Sequence, residues 1–226
     1  MISVAIDGPV GAGKSTVARE SAKRLGFIYA DTGALYRAIG LYAVRNGVED
    51  EKAADYGEKV TSLLPEITVE IKLENGTQKV FLCGEDVSEE IRQPKISMAA
   101  SAVSAVPAVR DFLLELQRSI AKENDVLMDG RDIGTVVLPS ADVKIFITAS
   151  PEIRARRRFE ELVNKGVETD FDQVLADLNR RDYQDSHRAV APLKMAEDAI
   201  LLDTSKLDFE QSVQSVVDLV RANTHN

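Results

Sequence analysis

The stretch that decides the fold is Ile2-Ser3-Val4-Ala5-Ile6-Asp7-Gly8-Pro9-Val10-Gly11-Ala12-Gly13-Lys14-Ser15-Thr16. An apolar run of strand length passes into a glycine-rich turn, and a helical pattern follows the turn. Gly8, Gly13, Lys14 and Ser15 occupy the four fixed positions of the phosphate-binding loop G-x-x-x-x-G-K-[ST]. Because the flanking strand and helix agree with the motif, the stretch predicts a site for a nucleotide phosphate.

The chemistry of this phosphate loop, residues 8–16, follows from its backbone. Glycines adopt angles that other residues resist, so successive amide N–H groups can turn inward around an anion. The helix behind the loop adds its positive end. Lys14 is expected to reach the β- and γ-phosphates, and the Ser15 hydroxyl can ligate Mg²⁺. A glycine-rich turn that binds nothing is the alternative, and the loop alone does not say where the phosphate goes.

Composition limits the class of protein. The chain has 226 residues, of which 44% are hydrophobic and 29% charged, as in a globular domain. The net charge of −9 disfavours a general nucleic-acid binder. Cys83 is the single cysteine and lies in an apolar run, so we expect no internal disulfide and a buried thiol. Without a signal-peptide pattern or an apolar run of membrane-spanning length, we expect a cytoplasmic protein that does not bind membranes. No dimer seam stands out, so we expect a monomer.

Strand and helix patterns alternate along most of the chain, which predicts an α/β fold with a doubly wound parallel sheet. Ligands of such sheets bind at the carboxyl ends of the strands. Residues 67–73 instead alternate strictly between apolar and polar, and Asn75-Gly76 is typical of a hairpin turn. We therefore predict a small antiparallel β insert at residues 65–90.

The strand predicted at residues 126–129 ends in a carboxylate and is followed by two charged residues. Asp129 occupies the position of the second acidic site of phosphate-loop proteins, which holds the metal or its water. Arg131 and Asp132 would then lie beside the phosphates, where an arginine can bridge the donor and acceptor groups. A structural arginine–aspartate pair at a turn is the alternative. The neighbouring phosphate loop favours the functional interpretation.

Helical spacing places Arg181, Asp185 and Arg188 on one face. The two cations could bind phosphates and the carboxylate between them a sugar hydroxyl, although an exposed ladder of ion pairs is the alternative. Near the start of another predicted helix, Thr32 and Arg37 are expected to face the acceptor, and Arg37 could bind its phosphate. A threonine that caps the helix and a solvated arginine are the alternative.

A cluster of arginines in an acidic protein is a further signal. It predicts either a solvated face or a helical lid that closes over a polyphosphate and excludes water. The cluster contains Arg154, Arg156, Arg157 and Arg158.

Together these residues resemble the bacterial cytidylate kinase family over nearly the whole chain. The motifs that carry the resemblance are Asp7-Gly8-Pro9 with the phosphate loop, Asp31-Thr32-Gly33-Ala34-Leu35-Tyr36-Arg37, Gly84-Glu85-Asp86-Val87-Ser88 with Glu90-Ile91-Arg92, Gly130-Arg131-Asp132-Ile133-Gly134-Thr135-Val136-Val137, and Arg188-Ala189-Val190-Ala191-Pro192-Leu193.

The resemblance implies the nucleoside monophosphate kinase fold as one domain, residues 1–226, with three regions. The core would comprise residues 1–30, 107–150 and 188–226. The region that binds the monophosphate would span residues 31–106 and contain the insert at 65–90. The arginine-rich lid would span residues 151–187.

The resemblance also implies transfer of the ATP γ-phosphoryl group to CMP or dCMP with Mg²⁺. The implied contacts of the acceptor nucleotide are Arg37, Arg131 and Arg188 at the phosphate, Ser101, Arg110 and Asp132 at the base, Arg181 and Asp185 at the sugar, and Thr32. The implied catalytic residues are Lys14, Arg131, Arg158 and Asp129. ATP would bind residues 8–16 with Arg154, Arg157 and Arg158, and Mg²⁺ would bind Ser15 and, through water, Asp129.

Two other functions stay open. The first is a phosphate-loop kinase for another small acceptor, such as UMP, AMP or shikimate. The second is a nucleotide-binding switch, which needs the guanine-reading pattern Asn-Lys-x-Asp. Asn164-Lys165 is followed by Gly166-Val167, so that pattern is absent.

Overall fold

The computed structural model describes residues 1–74 and 77–224 and contains two compact units. Unit 1 comprises Met1–Tyr29 with Glu123–Asn226, and unit 2 comprises Ala30–Lys122. In chain order the elements are β1 (Ser3–Asp7), α1 (Lys14–Leu25), β2 (Ile28–Asp31), α2 (Thr32–Arg45), α3 (Tyr56–Leu63), β3 (Val69–Glu74), β4 (Thr77–Leu82), β5 (Glu85–Asp86), α4 (Pro94–Ser104), α5 (Pro107–Glu123), β6 (Val126–Asp129), β7 (Val143–Thr148), α6 (Pro151–Asn164), α7 (Phe171–His187), β8 (Ile200–Asp203) and α8 (Phe209–Thr224).

The main sheet has five strands in the order β2-β6-β1-β7-β8, which confirms the predicted α/β fold. The central strand β1 runs parallel to β6 and to β7, with Ile6 opposite Asp129 and Asp7 opposite Phe146. This register brings the ends of three strands to one edge. The phosphate loop leaves β1 there, and the segment with Arg131 leaves β6 at the same edge.

The core of unit 1 lies where the sheet packs on α1 and α8. Both helices place small or β-branched side chains toward the strands, which lets the helices approach closely. The buried members are Val4, Ile6, Val17, Ala18, Ala22, Leu127, Ile145, Ile147, Val213, Val216, Val217 and Val220. A separate small cluster joins α6 to α7 through Ala155, Val174 and Leu178.

Unit 2 contains the predicted antiparallel insert, and the structure confirms it as a three-stranded sheet in the order β3-β4-β5. Val80 and Leu82 on β4 are buried in the core that α2, α4 and α5 also line. The close approach of α2 to α4 depends on Gly40, where an added Cβ would lie 2.9 Å from the backbone nitrogen of Ala100. The predicted hairpin turn at Asn75-Gly76 lies outside the described residues.

The expectation of a buried thiol at Cys83 was wrong. Cys83 follows β4 at the reversal into β5, has a φ of 49° and is exposed. The apolar pattern of β4 continues into this residue, but the chain turns before its side chain can reach the core.

In the described part of the chain, no single helix is long and apolar enough to cross a membrane, although α4 and α5, bent by 100°, pass that test as a pair.

Candidate functional site

The phosphate loop of unit 1 has a shape that only glycine permits at its first position. A Cβ added to Gly8 would lie 1.9 Å from the carbonyl oxygen of Ile147, and the φ of Gly8 is 147°. Gly11 and Gly13 also have positive φ values, of 74° and 81°. No side chain caps the start of α1 at Gly13, so the first amides of the helix are available to an anion.

Lys14 is buried directly behind the loop. Its Nζ donates a hydrogen bond to the Pro9 carbonyl at 2.7 Å, which bends the side chain back over the loop. Burial and the nearby charge of Arg131 lower the pKa of Lys14 to about 7, against the opposing effects of Asp129 and Asp7. A bound polyphosphate would add negative charge beside the ammonium group and favour its protonated form.

Ser15 and Asp129 lie together, as expected for a shared metal site. The Ser15 hydroxyl donates to Asp129 Oδ2 at 2.8 Å, and the Tyr29 hydroxyl donates to Asp129 Oδ1 at 2.9 Å. Hydroxyl and carboxylate oxygens suit Mg²⁺, which also retains water and binds phosphate oxygens. The described residues contain no group of three His, Cys, Asp or Glu side chains arranged to hold a metal by themselves.

Asp7 at the end of β1 organises the segment after β6. Its carboxylate accepts the backbone N–H of Ile133 and that of Gly134, each at 2.8 Å. Burial, with a smaller effect of Asp132, raises the pKa of Asp7 to about 6, although both backbone donors oppose the rise. The segment that carries Arg131 and Asp132 is thus tied to the strand that carries the phosphate loop.

The predicted charged residues after β6 and on α7 form one network. Arg131 Nε donates to Asp185 Oδ2 at 2.8 Å, and Arg188 Nη2 donates to Asp132 Oδ1 at 3.3 Å. Burial would raise the pKa of Asp185, but Arg131, Arg188 and Arg181 outweigh it and lower the pKa. The carboxylate therefore stays ionised and holds the arginines in place.

Arg154, predicted to bind ATP from the lid, makes hydrogen bonds that support the phosphate loop. Its Nη1 donates to the Val10 carbonyl at 2.8 Å and to Asp182 Oδ2 at 2.6 Å, and its Nε donates to the Ala149 carbonyl. Asp182 Oδ1 in turn accepts the Val10 N–H at 3.2 Å. The side chain is 5% exposed, and it contacts the phosphate loop through the Val10 carbonyl.

The other two predicted lid arginines have different surroundings. Arg157 donates to the hydroxyl and the carbonyl of Thr204 in the loop after β8, at 3.1 and 2.7 Å. Arg158 is half-buried and pairs with Glu161 at 2.7 Å, one turn further along α6. Arg154 and Arg158 therefore have different partners, although they are four residues apart.

In unit 2, the turn from β2 into α2 holds two predicted substrate residues. Asp31 caps α2 by accepting the Ala34 N–H at 3.1 Å, and its other oxygen accepts from Arg37 Nη1 at 3.2 Å. Thr32, the first residue of the helix, is buried. The aspartate thus fixes the direction of the Arg37 guanidinium.

The predicted base-reading residues of unit 2 also lie close together. Ser104 connects them, because its hydroxyl donates to the Ser101 carbonyl at 2.8 Å and its carbonyl accepts from Arg110 Nη1 at 3.2 Å. The buried Arg110 guanidinium lies 5.5 Å from the centre of the Tyr36 ring.

Sequence reasoning did not assign roles to several residues of these arrangements. Asp7 was predictable in part, since a carboxylate that ends a buried strand before a phosphate loop must find donors. Asp182 lies three residues before Asp185 and so shares its helix face. Tyr29 and Thr204 carry no motif that would have revealed their partners.

The fold and the arrangement of charges define a class of protein. A phosphate loop at the carboxyl edge of a parallel sheet, with arginines on following segments, is the architecture of a P-loop phosphotransferase. A solved structure of an uncharacterized protein from Eubacterium ventriosum matches 98% of this chain and 98% of its own, with a TM-score of 0.55 and 12% identity. That likeness supports the fold alone.

Comparison with related sequences is more specific than this structural likeness, because it identifies a family. The family model for cytidylate kinase matches residues 4–222. The cytidylate kinase of Pelotomaculum thermopropionicum is 51% identical over 97% of this chain and 96% of its own length. That of Caldanaerobacter subterraneus is 50% identical, over 99% and 96%, and that of Caldicellulosiruptor saccharolyticus 49%, over 96% and 95%. The chain belongs to the cytidylate kinase family, and it is a nucleoside monophosphate kinase.

Proposed function

We propose that this enzyme transfers the γ-phosphoryl group of ATP to CMP or dCMP and releases ADP with CDP or dCDP. The observation that carries the proposal is the network of Arg131, Asp132, Asp185 and Arg188 in unit 1. It keeps two arginines charged and oriented in the unit that also holds the phosphate loop. Such cations suit a phosphoryl group that moves between two anionic nucleotides.

On the donor side, the amides of residues 8–16 hold the ATP phosphates and Lys14 neutralises charge on the β- and γ-groups. We assign Arg157 and Arg158 to direct contact with ATP. The contacts of Arg154 with Val10 favour a role in shaping the loop. Mg²⁺ would be held by Ser15 and, through water, by Asp129, and when bound it would neutralise charge on the phosphates.

In the chemical step, an oxygen of the acceptor phosphate attacks the γ-phosphorus and the bond to the β–γ bridging oxygen breaks. The attacking oxygen is already anionic, so no general base is required. We assign Lys14 and Arg131 to the charge that develops during transfer, with Arg158 as a further cation. Positioning and charge stabilisation thus carry the reaction without a covalent enzyme intermediate.

For the acceptor, the proposed contacts are named residue by residue. The phosphate would contact Arg37, Arg131 and Arg188, and the sugar would contact Arg181 and Asp185. The base would contact Ser101, Arg110 and Asp132, and Thr32 is a further proposed substrate residue.

Selectivity for cytosine would come from its hydrogen-bonding edge. Cytosine presents an amine that Asp132 can accept from, and a ring nitrogen and a carbonyl that Ser101 and Arg110 can donate to. Uracil has a carbonyl in place of the amine and would face the Asp132 carboxylate repulsively.

A steady-state assay with ATP, Mg²⁺ and a panel of CMP, dCMP, UMP and AMP tests the proposal. We expect the highest kcat/KM with CMP or dCMP and loss of turnover when a chelator removes Mg²⁺. Faster turnover of UMP or AMP would contradict the cytosine assignment. Tight GTP binding without CMP-dependent turnover would instead indicate a switch protein.

A further inference from the structure

The small antiparallel sheet of unit 2 makes a polar contact with the turn that begins α2. The contact is Gln78 on β4, whose side-chain Oε1 accepts the backbone N–H of Asp31 at 2.8 Å. The Nε2 group of the same side chain donates to the Asp31 carbonyl at 3.3 Å. One amide side chain thus pairs with both polar backbone groups of one residue, much as a neighbouring strand would.

The position of Gln78 in the strand makes this pairing specific. Residues 78, 80 and 82 share one face of β4 because side chains alternate along a strand. Val80 and Leu82 on that face are each 2% exposed. Gln78 on the same face is partly buried, and an amide that is partly withdrawn from water is stabilised by hydrogen-bond partners. Here the Asp31 backbone supplies both partners.

Asp31 connects Gln78 to helix α2. Its side chain caps α2 at Ala34 and holds Arg37 through a 3.2 Å ion pair. The turn has little spare room, since a Cβ on Gly33 would lie 3.1 Å from Asp31 Oδ1 and 3.5 Å from Arg37 Nη2. The placement of the Asp31 backbone therefore decides where the Arg37 guanidinium can lie.

We propose that Gln78 is a positioning residue for the acceptor nucleotide: it fixes Asp31 and, through Asp31, the arginine that binds the acceptor phosphate. The inference rests on the proposed function, which assigns Arg37 to that phosphate. It gives the inserted sheet a part in substrate recognition. Gln78 itself does not need to touch the nucleotide.

The proposal predicts a change in one kinetic constant, the KM for the acceptor nucleotide. A displaced Arg37 weakens binding of the acceptor in its ground and transition states alike, which raises KM with little change in kcat. Gln78, Asp31 and Arg37 are not among the residues proposed to bind ATP, so the KM for ATP should not change. From two hydrogen bonds of ordinary strength, we expect the KM for CMP to rise by about five- to tenfold.

The test measures kcat and both KM values for Gln78→Ala and Gln78→Glu, with thermal melting to confirm folding. Gln78→Glu keeps the acceptor for the Asp31 N–H but sets a carboxylate oxygen against the Asp31 carbonyl, so the KM for CMP should also rise. Lys79→Ala is the matched control. Lys79 is the next residue of β4, lies on the other face and pairs with Asp86 at 3.2 Å, and its removal should leave both KM values unchanged.

A double-mutant cycle separates positioning from general loss of structure. In an Arg37→Ala background, Gln78→Ala should raise the KM for CMP by less than about twofold, because the group that it positions is gone. Equal rises in the KM for CMP and for ATP would overturn the inference, and so would full additivity with Arg37→Ala. An unchanged KM for CMP in folded Gln78→Ala would overturn it while the proposed function stands. A wild-type enzyme that does not turn over CMP would instead contradict the proposed function.

Discussion

Replacing Asp7 with asparagine removes a charge that the fold keeps buried between two backbone amides. The carboxylate accepts from Ile133 and Gly134 through its two oxygens. Asparagine has the same shape, but its NH₂ group would face one of these N–H donors. The variant therefore loses one hydrogen bond, at a cost of about 1 kcal/mol that does not depend on pH.

Removal of the charge, by contrast, stabilises the folded protein, and the size of this effect depends on pH. Burial raises the pKa of Asp7 from 3.8 to about 6, so the folded protein binds this proton more tightly than the unfolded chain does. The resulting stabilisation is complete below pH 3.8 and is lost as the pH rises through 6. At pH 8 the ionised carboxylate costs about 3 kcal/mol, and about half of this develops between pH 5 and pH 8.

The assay is urea unfolding of wild type and Asp7→Asn at pH 5, 6, 7 and 8. Because asparagine does not titrate, we expect the variant to gain about 1.5 kcal/mol of unfolding free energy relative to wild type over this range. Asp142→Asn is the control. Asp142 also accepts a strand N–H, from Ser3, and this bond lowers its pKa, so its effect on stability should be constant from pH 5 to pH 8.

A constant difference between Asp7→Asn and wild type would refute the reasoning, because it would mean that Asp7 has an ordinary pKa in the folded protein. A difference that moves in favour of wild type as the pH rises would refute it as well. The same variant should lose catalytic activity at every pH, since Asp7 holds the segment with Arg131 and Asp132. We expect kcat/KM to fall by about ten- to a hundredfold.

Four other substitutions test separate parts of the site. Lys14→Ala should lower kcat/KM by about 10³-fold in the steady-state assay, and retained activity would refute the phosphate role of Lys14. Asp132→Asn should reduce the preference for CMP over UMP by about tenfold; unchanged selectivity in acceptor competition would count against a base contact. Gly8→Ala should abolish stabilisation by ATP in thermal melting, because its Cβ would meet the Ile147 carbonyl at 1.9 Å; normal stabilisation would show that the loop can relax. Asp182→Asn should raise the KM for ATP by about threefold or more, because asparagine has one acceptor oxygen for two donors, the Val10 N–H and Arg154 Nη1; equal KM values would show that these contacts are dispensable.

Much of the fold was predictable because its signals are local. The phosphate loop is encoded in consecutive residues, and the alternation of residues 67–73 is a pattern of a single strand. Cys83 was mispredicted for the same reason, since its position depends on where the chain turns rather than on the apolar run before it.

Several predicted site residues lie together in the structure, but their contacts were not predictable. Arg131, Asp185 and Arg188 could be named from motif and spacing. The roles of Asp7 and Asp182 depend on partners more than a hundred residues away in the sequence, which no local pattern specifies. Arg154 shows most clearly where prediction from the sequence ends, because a cluster of arginines does not reveal which of them the fold buries. The three-region partition, the monomeric state and the cytoplasmic location stay predictions.

The helix α7 carries a further consequence. Asp182 on this helix holds Val10 of the phosphate loop, and Asp185, less than one turn later, holds Arg131. Because both residues belong to the same helix, a slide of the helix along its axis or a rotation about it would change both contacts together. Any displacement of α7 would therefore alter the support of the phosphate loop and the orientation of the Arg131 guanidinium at the same time.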